Sequence, residues 1–99
     1  NFAELAKLEF EDARRDVFPA IDLAVRAGTE GGTLPAVYNA ANEVAVDAFI
    51  NKKIGFTDIW KLVAQVMDAH AVKTGDSLDV LIAADADARV LAVEYIESL

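Results

Sequence analysis

From residue 18 onward, apolar positions in this chain recur in steps of three and four, the spacing of a helix with one buried face. Phe18, Ile21 and Val25 share one such face. Pro19 suits a first helical turn, where its missing N–H would be unbonded, and Asp16 lies near the positive end of the dipole. Gly28 and the pair Gly31-Gly32 are expected to end that helix. Thr33 and Pro35 open a second, which the pattern carries to about Lys53, with Tyr38, Ala41, Ala45, Ala48 and Phe49 on one side. Alanines there let a neighbouring helix approach closely. After the break at Gly55, Thr57 is placed to cap a third helix running to about Ala71. Its apolar face is Ile59, Trp60, Val63, Val66 and Met67. The last helix starts at Ser77 and repeats Leu81, Ala84, Ala88, Leu91 and Tyr95, with Asp85 and Arg89 spaced for an i, i+4 ion pair.

Before residue 18 the pattern changes. Lys7-Leu8-Glu9-Phe10-Glu11 alternates polar and apolar as a half-buried strand does. Residues 1–17 are therefore expected to form an extended linker arm that lays Phe2, Leu5, Leu8 and Phe10 on another surface. Residues 18–99 form the domain proper. The class is all-α: a four-helix bundle preceded by an extended N-terminal arm.

Composition narrows the chemistry. Ninety-nine residues suit one domain, and none is cysteine, so disulfides, thiolate nucleophiles and zinc–thiolate sites are excluded. This usage agrees with a cytoplasmic location. One histidine leaves nothing for a site needing two imidazoles. Seventeen acidic against nine basic residues give a net charge of −8, which repels nucleic acid and anionic lipid. No apolar run approaches the ~20 residues of a membrane span. The chain starts at Asn1, which suggests processing or excision from something longer.

Several short motifs compete for a functional reading. Gly75-Asp76-Ser77-Leu78 looks like an esterase nucleophile block and also like the phosphopantetheine site of a carrier protein. An esterase of that type needs a histidine downstream, and none follows Ser77. A carrier serine opens the second helix of its bundle, whereas Ser77 opens the last. Its expected role is a helix cap, accepting from the N–H of Asp79 or Val80. The glycines of residues 27–33 follow a helix and miss the spacing of a dinucleotide loop. Asp85 and Asp87, two apart on a helix, point to different faces and grip no common ion. His70 near a helix end is expected to be structural, and Trp60 to be core or domain contact.

Residues 35–49, PAVYNAANEVAVDAF, carry the clearest signal. Asn39, Asn42 and Glu43 form a polar stripe on an alanine-rich helix. Asparagine is a mediocre helix former, so two on one face suggest definite hydrogen-bond partners. The expectation is an interdomain role, with the stripe and Phe10 holding the junction to the arm or to another domain.

This stretch, with FPAIDLAVRAG before it and IGFTDI and SLDVLIAADADARVLAVEYI after it, resembles the C-terminal domain of the 1-deoxy-D-xylulose 5-phosphate reductoisomerases over nearly its full length. The resemblance implies a parent enzyme that isomerises and reduces 1-deoxy-D-xylulose 5-phosphate to 2-C-methyl-D-erythritol 4-phosphate, in the non-mevalonate route to isoprenoids. It implies NADPH and a divalent cation (Mg, Mn or Co) as the parent's cofactors. It also implies a homodimer whose catalytic and NADPH-binding domains belong to the same polypeptide as this bundle. The family's glycine-rich loop and metal-binding carboxylates have no counterpart here, so no catalytic, cofactor-binding or metal residue carries over. The chain alone is expected to be inactive. The competing reading is a free-standing acidic helical module that binds a protein partner.

Overall fold

The computed structural model describes residues 21–99, which hold four helices and no strand. Helix α1 covers residues 21–30, α2 Leu34–Ile50, α3 Asp58–Ala69 and α4 Leu78–Glu97. The arm of residues 1–17, the start of the first helix at Phe18-Pro19 and the role expected of Phe10 lie outside the described residues.

Helix α2 is the centre of the bundle, packed on both α3 and α4, which touch each other less. Its sequence explains why. Leu34, Val37, Ala41, Ala45 and Ala48 are buried, and Ala40 extends the buried arc beyond a single stripe. Small side chains on two flanks let two helices close in at once. Helix α3 contributes the bulk, with Ile59, Leu62, Val63, Val66 and Met67 buried. Helix α4 answers with Ala84, Ala88 and Ala92, so large residues of α3 meet small ones opposite. Leu81, Leu91 and Tyr95 are half-buried at its margins, and Trp60 is half-buried on α3.

The predicted ends differ from the observed ones in instructive ways. Gly28 does not stop α1, which continues to residue 30. A glycine inside a helix costs only about 1 kcal/mol relative to alanine, and nothing crowds this one. The turn comes at Gly31 and Gly32, with φ of 64° and 57°. Helix α2 stops at Ile50, three residues early, because Lys52 adopts φ 61° and the Lys53 N–H returns to the Ala48 carbonyl at 2.9 Å. Ile21 and Val25 face solvent, while Leu23 and Ala27 make the inward contacts of α1.

The α1–α2 turn is locked to the connection between α3 and α4. The buried Thr33 donates its N–H to the Lys73 carbonyl at 2.8 Å, and its Oγ1 accepts the Lys73 N–H at 2.9 Å. His70 Nε2 lies 2.7 Å from the same hydroxyl. Thr33 thus spends its side chain on a loop forty residues away and makes no capping bond to α2.

Candidate functional site

Ser77 has the extended backbone of an N-cap (φ −137°, ψ 151°), and its Oγ accepts the Val80 N–H at 3.2 Å. Asp79 sits in the first turn, where a carboxylate favours the dipole. Neither carrier nor nucleophile chemistry is needed to account for this serine. Ser77→Ala is expected to destabilise the fold by about 0.5–2 kcal/mol, and Ser77→Asp to restore most of it, as denaturant melts would measure.

Thr57 corrects its expected role. It occupies the position before α3, but with helical backbone (φ −69°, ψ −20°), and its side chain makes no capping bond. The cap needs extended backbone to aim the hydroxyl at the helix amides. Asp58 supplies the local bond instead, its Oδ2 accepting the Gly55 N–H at 2.8 Å while its own N–H donates to the Gly55 carbonyl at 3.1 Å.

The Asn39–Asn42–Glu43 stripe divides. Glu43 Oε2 accepts from Arg89 Nη2 of α4 at 2.7 Å, and Asn39 Nδ2 reaches Glu43 Oε1 at 3.4 Å. Arg89 Nε also donates to Asp85 Oδ1 at 2.6 Å. The pair expected of Asp85 and Arg89 is therefore present and extends across to α2. Asn42 turns the other way, into a groove it shares with Tyr38, Phe56, Ile59, Trp60 and Val63. Phe56 stands edge-on to Trp60, ring centroids 5.0 Å apart, and to Phe49 at 5.7 Å.

Hydrogen bonds to Asp85 and then to Glu43 hold the Arg89 guanidinium above its ordinary value. A folded value raised above the unfolded one gives stability that is complete below the unfolded value and lost only above it. The three side chains are each a third or more exposed, so solvent screens the interaction. Arg89→Ala is expected to cost no more than about 1 kcal/mol, with a difference from the parent chain that shrinks in salt and does not change between neutral pH and pH ~10. A second pair, Arg26 with Asp68 at 2.6 Å, fastens α1 to α3.

The arrangement offers little for chemistry. Among the described residues no three of His, Cys, Asp or Glu come together as a set able to hold a metal ion. At the Gly31-Gly32 turn the space a Gly32 side chain would enter is filled by the Lys73 carbonyl, to which the Thr33 N–H already donates. What the site offers is surface: an aromatic groove with one amide on one side, and a bridged ion pair on another. Those features define an all-helical domain.

Its relatives say whose. The profile of the DXP reductoisomerase C-terminal domain matches residues 1–91. The chain is 44% identical over all 99 residues to the 1-deoxy-D-xylulose 5-phosphate reductoisomerase of Zymomonas mobilis, and 50% identical over 98 residues to that of Chlorobium phaeovibrioides. It covers 26% of either relative. A solved structure of the Zymomonas mobilis enzyme in complex with NADPH superposes with a TM-score of 0.78 at 49% identity, over 83% of this chain and 22% of that one. The chain belongs to the family of DXP reductoisomerase C-terminal domains.

Proposed function

We propose that this chain is the C-terminal structural domain of an NADPH-dependent 1-deoxy-D-xylulose 5-phosphate reductoisomerase, contributing no catalytic group of its own. The observation that carries this reading is likeness at 44–50% identity along essentially the whole chain to enzymes about four times as long. The parent reaction yields 2-C-methyl-D-erythritol 4-phosphate for isoprenoid synthesis in a cytoplasmic homodimer. NADPH and a divalent cation belong to the other domains.

The domain's part is to brace its neighbours. Phe10, Asn39 and Asn42 are assigned to the junction, with Asn42 available in the aromatic groove. Glu43 acts mainly within the bundle, through Arg89. The full-length polypeptide should oxidise NADPH when given 1-deoxy-D-xylulose 5-phosphate and a divalent cation, and the 99-residue chain should not. A full-length polypeptide that leaves NADPH untouched under those conditions would refute the reading.

A further inference from the structure

Two stripes of side chains run side by side on the outside of the bundle. On α2 the positions i, i+4, i+7 and i+11 are Asn39, Glu43, Val46 and Ile50. On α4 the same intervals give Ile82, Ala86, Arg89 and Val93. Residues so spaced share one helix face. The stripes lie in register because the two helices run parallel. Ala36 shares a hollow with Leu81 and Ile82 near their beginnings, and Glu43 bonds Arg89 two turns on. An ion pair thus joins the stripes, with aliphatic side chains beside it that are open to solvent: Ile50 is 69% exposed and Ile82 57%. The opposite face of α4 is already committed through Ala84, Ala88 and Ala92. A helix apolar on both faces belongs between two packed layers, and among the described residues only one layer covers α4.

We propose that this α2–α4 face seats the domain against the remainder of its own polypeptide, an inference that rests on the proposed function. A second copy of the domain is a poor occupant, since it would bring together two bodies each carrying −8. The rest of the polypeptide is a good one. The curated relatives are about four times as long as this chain, so in the proposed polypeptide about three times this domain's mass lies beside it. Asp47 and Glu97, each one turn beyond a stripe residue and exposed, are the carboxylates that this neighbour would meet. The Asp85–Arg89–Glu43 bridge adds polar contact and one net negative charge.

The test is hydroxyl-radical footprinting of the full-length polypeptide, with its reductoisomerase activity assayed on the same preparation. Val46, Ile50, Ile82 and Val93 are expected to be oxidised severalfold more slowly than Val90, which is exposed on the same helix but lines a hollow with Ala69 and His70. Ile82→Asp should make the domain junction more sensitive to protease, and Val90→Asp should not. An active enzyme whose four stripe residues react as fast as Val90 would overturn this surface while leaving the functional reading intact. Protection equal in concentrated and dilute samples excludes a second copy as its source, and protection lost on dilution would overturn the proposal. An inactive full-length polypeptide, or a native polypeptide no longer than this chain, would overturn both.

Discussion

Gly32→Val is expected to be the most damaging single substitution in the described part of the chain, at about 3 kcal/mol or more. Two costs combine at this position. The backbone has φ 57°, a region that β-branched residues rarely enter. A Cβ there would also clash with the Lys73 carbonyl oxygen, which is backbone and is already held by the Thr33 N–H. Relief of the clash must break the link between the α1–α2 turn and the α3–α4 connection. Gly31 is the control: its φ is 64°, yet nothing lies within 4 Å of where its Cβ would be. Gly31→Ala should therefore show the conformational cost alone, about 1–2 kcal/mol. Denaturant titrations followed by far-UV circular dichroism would compare the two. Equal losses would mean that the interlock with Lys73 contributes nothing.

Leu62→Ala is the second large effect, at about 2–5 kcal/mol. Leu62 is fully buried on α3, in the same core as the alanines of α2 and α4. Because those neighbours are short, they cannot swing in to fill the space, and the cavity should persist. Trp60→Ala tests the contrast from the other side. The larger side chain is only half-buried, so its loss should cost the bundle less than its size suggests. Thermal or chemical melts of both variants would rank them. A Leu62 variant as stable as the parent chain would show that this core is not packed as described.

Much of this was readable from residue order alone, where the physics is local. The four helical segments follow from periodicity and from turn residues, and Ser77 caps because an extended serine before an apolar run has few alternatives. The Asp85–Arg89 pair is one turn apart and was equally accessible. Failures arose where a residue's partner is distant in sequence. Thr33 resembles a cap, yet its hydroxyl is claimed by His70 and Lys73. Glu43 reads as a junction residue facing the arm or another domain, yet its ion-pair partner is Arg89 of the bundle, forty-six positions on. Leu62 and Ala40 fall just outside the strict stripes and are buried because α2 is covered on two sides. Thr57 failed for a local reason, since its backbone had already turned helical and Asp58 was better placed to take the Gly55 amide. The polar stripe was visible as a stripe, but its division between an ion pair and an aromatic groove depends on which helices flank α2.

The most direct test is the mass of the native polypeptide in its source cells, read on an immunoblot with antibody raised against these 99 residues. The account predicts a single band about four times heavier than 10.6 kDa, in proportion to the 26% of its relatives that this chain covers. A band at 10.6 kDa alone would contradict it, and would make the chain a free-standing acidic helical module whose function lies in its partner.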